Sequence, residues 1–162
     1  MKNENEKIKP ERPAGFQDFF PEEFIARKKM IETVQATFER FGFNSIETPI
    51  IEYQEVLAGE EGETGKNIFK INSSKEKKIA LRFDQTVPFS RVLAANPYNF
   101  KKKTGIKLPW GRIASGPVFR NDAPQKGRFR QFYQLDADFA GTSSMMADAQ
   151  IIVVMYEALK AL

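Results

Sequence analysis

Arg120, Lys126, Arg128 and Arg130 crowd around a single acid, Asp122, in the stretch FRNDAPQKGRFRQF from Phe119 to Phe132. Cations held that close repel one another, so the arrangement costs stability unless an anionic ligand takes up the charge. Arginine suits that work, because its planar fork grips phosphate at two points and never loses its charge. The stretches on either side alternate. In RIASGPVFR (112–120), Ile113, Pro117 and Phe119 alternate with Arg112, Gly116 and Arg120. In QFYQLDADF (131–139), Tyr133, Leu135, Ala137 and Phe139 share one face, and Phe132, Gln134, Asp136 and Asp138 share the other. If the two strands pair, one face is core and the other offers a fixed cation (Arg120), an aromatic plane (Phe132), an amide (Gln134) and a carboxylate (Asp138).

That set suits a nucleotide with an amino-bearing partner. Arg120 on a rigid strand would fix one phosphate, and Arg128 and Arg130 on the loop could close over others. Phe132 could stack on a base, a contact worth on the order of 1–3 kcal/mol. Asp138 or Asp84 would receive an ammonium group. The residues taken alone leave plainer readings open. Arg120 and Asp122 could form a surface ion pair worth about 0–1 kcal/mol, Phe132 could pack beneath a helix, and Asp136 and Asp138 could be solvated strand residues.

The elements that must hold these residues are legible from pattern. Pro21, Glu22 and Glu23 mark a helix start, apolar residues at helical spacing carry it from about 21 to 41, and Gly42 stops it. FNSIETPIIEY (43–53) reads as a strand confined to an edge or interface by Pro49. GEEGETGK (59–66) reads as a mobile glycine-rich loop, without the spacing of a phosphate-binding loop. IFKI (68–71) and KIALRF (78–83) are short strands around the turn NSSKEK, and a helix begins near Thr86 or Pro88. Lys101, Lys102 and Lys103 read as a solvated turn. A final helix, capped by Ser143 or Ser144, runs to Leu162 without a C-cap signal, which suggests a piece of something longer. Residues 1–11 are expected to be a disordered lead-in.

Composition bounds the chemistry. The 162-residue chain, 41% apolar, can bury one core. It has no cysteine and no histidine, which removes disulfides, thiolate nucleophiles, imidazole bases and the common zinc sets. A net charge of +4 mildly favours polyanionic partners. The longest apolar run, IIVVM (151–155), is far too short to span a membrane, and MKNENEKIK lacks a signal core, so a cytoplasmic location is the default expectation.

Resemblance narrows the reading. The run RIASGPVFRNDAPQKGRFRQFYQLDADFAG resembles motif 2 of class II aminoacyl-tRNA synthetases, and APQKGRFRQFYQ, with an acid two residues after the first arginine, resembles the histidyl branch. RPAGFQDFFPEE is similar to that family's N-terminal segment, FGFNSIETPIIE to its motif 1, and LRFDQTVPFSR to its amino-acid-binding segment. The likeness covers residues 12–162. It implies an α+β fold, an antiparallel β-sheet flanked by helices, as in class II catalytic domains. It also implies ATP, Mg²⁺, histidine and tRNA(His) as cofactors and partners, with no metal ligand among the residues.

By resemblance Arg120 would be catalytic, holding the α-phosphate of ATP, while Asp122 would help read the adenine side. Arg128 would reach the terminal phosphates and Phe132 would stack on adenine. Asp84, Thr86, Gln134 and Asp138 would line the histidine site, with Asp84 and Asp138 standing where many members carry Glu. Pro49 and the 21–41 helix would belong to a homodimer interface. Neither motif 3 nor the second histidine signature is visible, so the chain is expected to be the motif 1 and 2 portion of a catalytic domain, weak or inactive alone. Two other classes compete: a synthetase-like histidine-sensing regulatory subunit of ATP phosphoribosyltransferase, which would have no need of Arg120, Arg128 and Phe132, and an RNA-binding module, whose backbone ligand would be repelled by Asp84, Asp136 and Asp138.

Overall fold

In the computed structural model the described residues are 9–58, 67–72 and 77–162. Residues 1–8 of the lead-in expected at 1–11, the glycine-rich loop 59–66 and residues 73–76 of the NSSKEK turn lie outside them.

Helix α1 spans Pro21–Arg40, with proline at its start, Glu22 and Glu23 in its first turn and Arg40 in its last, each placed to suit the helix dipole. Gly42 follows at φ +87°, a left-handed backbone that glycine adopts without strain. The segment expected as one strand at 43–53 is two. Strand β1 (Asn44–Ser45) and strand β2 (Ile51–Tyr53) are separated by the run containing Pro49, which has no N–H for a ladder. Helix α2 (Gln54–Ala58), strand β3 (Lys70–Ile71) and strand β4 (Ile79–Leu81) follow, and then helix α3 (Thr86–Ala95). Strands β5 (Trp110–Phe119) and β6 (Gln131–Ala140) form the longest pair, and helix α4 (Met145–Lys160) closes the order with Ser144 Oγ accepting from the Met146 N–H.

The expected α+β class, antiparallel sheet flanked by helices, holds, and the strands divide into two sheets. In the first, β5 lies between β1 and β6; β6 is antiparallel to it and β1 is parallel. In the second, β4 lies between β2 and β3, all antiparallel. Both halves of the 43–53 segment sit at sheet edges, as Pro49 implied, but in different sheets. The odd-numbered face of the β5–β6 pair packs on α1 and α4, with Phe38, Phe43, Ile113, Val154 and Ala158 at its buried centre. A smaller cluster of Leu57, Ile68 and Ala80 supports the second sheet.

Arg82 joins the two sheets. Its side chain is buried, and burial lowers its pKa despite the nearby carboxylates. Its Nε donates to the Pro117 carbonyl at 2.8 Å and its Nη1 to the Thr48 carbonyl at 2.9 Å. Its backbone N–H donates to Ile50 and its carbonyl accepts from Phe119. Space for this guanidinium exists because residue 116 is glycine: a Cβ there would fall well inside contact distance of Arg82 Nη2. Gly116→Ala should therefore lower stability by about 1–3 kcal/mol, the cost of overpacking a filled interior. Urea denaturation checks this, and an unchanged midpoint would show that Arg82 has room to move.

Candidate functional site

The even-numbered face of β5–β6 is the polar one, and the ladder sets its order. Arg112 pairs across with Asp138, Ala114 with Asp136, Gly116 with Gln134, and Val118 with Phe132. One step further, the Arg120 N–H donates to the Arg130 carbonyl at 2.8 Å. Because opposite residues in an antiparallel pair point to the same side, Arg112, Arg120, Phe132, Gln134, Asp136 and Asp138 share one surface. The Phe83–Phe89 segment lies against it.

Arg120 sits at one end. Its guanidinium carbon lies 4.5 Å from the Phe83 ring centre and 4.9 Å from that of Phe132, and its Nε donates to the Phe83 carbonyl at 3.4 Å. These contacts hold the fork in one place and leave its remaining donors unclaimed by any carboxylate among the described residues. The Arg120–Asp122 ion pair considered from sequence does not form. Asp122 instead accepts from Arg128 Nη2 at 2.5 Å, and the Asp122 carbonyl accepts from Arg130 Nε at 2.9 Å. Arg130 is anchored in turn, its N–H donating to the Gly15 carbonyl at 2.8 Å. Gly15, at φ +86°, presses so close that a Cβ would stand 2.8 Å from Arg130 Cγ. Arg130 thus braces the root of the loop, and Arg128 is the exposed cation, paired with Asp122.

Arg112 occupies the other end. Sequence reasoning placed it on the polar face without giving it a role, yet it is fully buried, in an ion pair with Asp138 and 4.6 Å from the Phe89 ring centre. Its Nη1 donates to the Asp136 carbonyl at 3.3 Å and its Nη2 to the Gln85 carbonyl at 3.2 Å. Burial lowers its pKa, while Asp138, Asp136 and Asp84 act against that shift. The contact with Asp138 is an ion pair without hydrogen-bond alignment, since Asp138 Oδ2 and Arg112 Nε both lack a hydrogen-bond partner. The signal that could have found Arg112 was its spacing of eight from Arg120, which places both on one face of a strand.

Asp84 stands at the start of α3, its Oδ1 accepting from the N–H groups of Thr86 and Val87 at 3.1 Å each. Its carboxylate is close enough to act electrostatically on both Arg112 and Asp136. Thr86 is exposed beside it. The predicted residues therefore fall into two groups: Asp84, Thr86, Arg120, Phe132, Gln134 and Asp138 around the strand face, and Asp122 with Arg128 on the adjoining loop. The face offers a cation held for an anion at one end and carboxylates held for a cation at the other. Among the described residues no group of three or more acids, histidines or cysteines is arranged to hold a metal ion.

A family profile described as histidyl-tRNA synthetase matches residues 15–162. The chain belongs to the histidyl-tRNA synthetase family. It is 41% identical over 156 residues to the histidine–tRNA ligase of Wolinella succinogenes, covering 96% of this chain and 34% of that protein. It is 38% identical over 157 residues to that of Aeropyrum pernix, covering 95% and 34%. Among solved structures it resembles the histidyl-tRNA synthetase of a Nostoc species with a TM-score of 0.78 at 32% identity, covering 94% of this chain and 34% of that one. An ATP phosphoribosyltransferase regulatory subunit/histidyl-tRNA synthetase from Bacillus halodurans is similar at a TM-score of 0.77 and 26% identity, covering 93% and 37%. This synthetase-family chain spans about a third of the length of the curated relatives it matches.

Asp136 carries the clearest electrostatic signature of the face. Burial pushes its carboxyl above the usual range, outweighing the opposing pull of Arg112, while Asp138 and Asp84 push it further up. A carboxyl with a raised folded-state pKa costs stability once ionised: the cost is absent below the ordinary value of 3.8 and grows as pH rises through the raised one. Asp136→Asn should therefore raise the urea midpoint at about pH 7 and leave it nearly unchanged at about pH 3.5. A loss of stability at neutral pH would show that the ionised carboxylate is needed by Arg112.

Proposed function

We propose that this chain forms the ATP- and histidine-binding face of a histidine–tRNA ligase, with residues 12–162 carrying motifs 1 and 2 of its catalytic domain. The observation that carries the reading is the order of groups along one strand face: Arg120 and Phe132 at one end, Gln134 next, and Asp138 with Asp84 at the other. Arg120 binds the α-phosphate of ATP and Arg128 swings from Asp122 to the terminal phosphates. Phe132 supports adenine and Asp122 its polar edge. Asp84, Thr86, Gln134 and Asp138 receive the histidine, the carboxylates and the amide oxygen accepting from its ammonium.

Catalysis is then positioning and charge stabilisation. A histidine carboxylate oxygen attacks the α-phosphorus, forming the O–P bond of histidyl-adenylate while the bond to pyrophosphate breaks. The acyl group next passes to a hydroxyl of the terminal ribose of tRNA(His), releasing AMP. Arg120 stabilises charge that grows on the α-phosphoryl oxygens, and its contacts with Phe83 keep it from having to reorganise. Mg²⁺ neutralises phosphate charge when it accompanies the nucleotide; no residue of this chain is assigned to it.

A regulatory, histidine-sensing role is less well supported, because Arg120 and Phe132 form a phosphate and ring site that such a role does not use. The assembly is a homodimer through α1 and the Pro49 segment, where Phe24, Ile25, Ile50 and Ile51 expose apolar surface. The reading includes a cytoplasmic location; no helix among the described residues is long and apolar enough to cross a membrane.

Two measurements test this. Calorimetric titration with a non-hydrolysable histidyl-adenylate analogue should show binding that Arg120→Ala weakens on the order of 10- to 100-fold, the loss of a charge-assisted phosphate contact. Equal binding of the matching analogues of two other amino acids would refute the histidine assignment. Light scattering at micromolar concentration should give a dimer, and a monomer would remove the proposed interface.

A further inference from the structure

Below the proposed histidine pocket lie a donor and an acceptor that the chain does not use. Gln85 is only 2% exposed. Its side-chain Nε2 has no hydrogen-bond partner, and neither has the buried Oε1 of Gln134. Both side chains border the Gly116 position. Gly116 is the cross-strand partner of Gln134, and Gln85 Nε2 lies 3.3 Å from where a Cβ on Gly116 would stand. The nearest neighbour at that point, Arg82 Nη2, is itself a donor and cannot satisfy an amide N–H. Arg112 takes the backbone carbonyl of Gln85, leaving its side chain free. Buried polar atoms without partners are few in native proteins, and such a pair needs an occupant that both accepts and donates.

We propose that Gln85 is a substrate-contacting residue, donating from Nε2 to an acceptor atom on the amino-acid half of the ligand while Gln134 Oε1 accepts from the ligand's amino group. This rests on the function proposed above. The position selects the amino-acid half, because the Gly116–Gln134 rung lies between the Val118–Phe132 rung assigned to the nucleotide and the Arg112–Asp138 rung assigned to the ammonium. The carboxylates of Asp84 and Asp138 suit the ammonium, and beside the Thr86 hydroxyl and the Gln134 amide N–H a further, buried donor is needed to reach the ligand's carboxyl oxygen or ring nitrogen from below. Gln85 supplies it. LRFDQT is thus read through Gln85 as well as Asp84 and Thr86.

Gln85→Met, which keeps length and removes the amide, tests this in the full chain with two readouts of opposite sign. Removing a buried, unpaired donor should raise the melting temperature by about 2–8 °C in the ligand-free chain. The same change should weaken binding of a non-hydrolysable histidyl-adenylate analogue roughly 10-fold, the loss of one hydrogen bond, with affinity for a non-hydrolysable ATP analogue unchanged. A destabilised Gln85→Met chain would assign the side chain to the scaffold and overturn the inference. So would an unchanged affinity for the adenylate analogue, or an equal loss for both ligands. If the unsubstituted chain binds neither ligand, the proposed function fails and this inference with it; if it binds both and Gln85→Met matches it, the inference alone fails.

Discussion

Everything in this chain that bears on chemistry hangs on the ladder between β5 and β6. Successive side chains on a strand point to opposite sides, so one register divides Trp110–Phe119 and Gln131–Ala140 into a core face and a polar face at once. A slip of one residue would send Ile113, Leu135 and Phe139 into water and drive Arg112, Asp136 and Asp138 into the packing under α1 and α4. The burial of Phe38, Phe43 and Val154 against the core face therefore fixes the order of polar groups on the other.

The second sheet would be a loose attachment without Arg82. Its side chain and backbone together reach Thr48, Ile50, Pro117 and Phe119, so segments far apart in sequence are tied to one residue. The consequence reaches the polar face, since Phe83 and Asp84 follow directly in the chain. Phe83 gives Arg120 a ring and a carbonyl, and Asp84 brings a carboxylate over Arg112 and Asp136. A buried guanidinium is costly, and here carbonyl oxygens of two separate segments meet that cost.

Charges on the face are paired at one end and held without a paired acid at the other. Arg112 is fully buried and spends itself on Asp138 and two carbonyls, which keeps a carboxylate-rich end from repelling itself. Arg120, at the opposite end, is held by aromatic rings and one carbonyl, with no ion-pair partner among the described residues. A face with separated charge of both signs suits a ligand with phosphate at one end and ammonium at the other, which the family's chemistry requires of its adenylate. The unpartnered amide atoms of Gln85 and Gln134 lie between the two ends, where a polar ligand would be shortest of partners.

The sequence by itself determined the faces. Period-two alternation in 112–120 and 131–139 separated Phe132, Gln134, Asp136 and Asp138 from Tyr133, Leu135 and Phe139, because strand geometry is local and leaves its mark residue by residue. Helix limits were equally legible at Pro21, Gly42 and Ser144, where φ and capping preferences act over a single turn. What the tertiary structure decided was which groups remain free. Pattern could not show that Asp122 turns to Arg128 instead of Arg120, that 43–53 divides between two sheets, that Arg82 fills the space left by Gly116, or that Gln85 lies buried over that same glycine. The Asp122–Arg128 pair is set by the fold of a loop without regular structure, and the other outcomes depend on contacts between segments tens of residues apart, settled by packing in three dimensions, which no local pattern encodes.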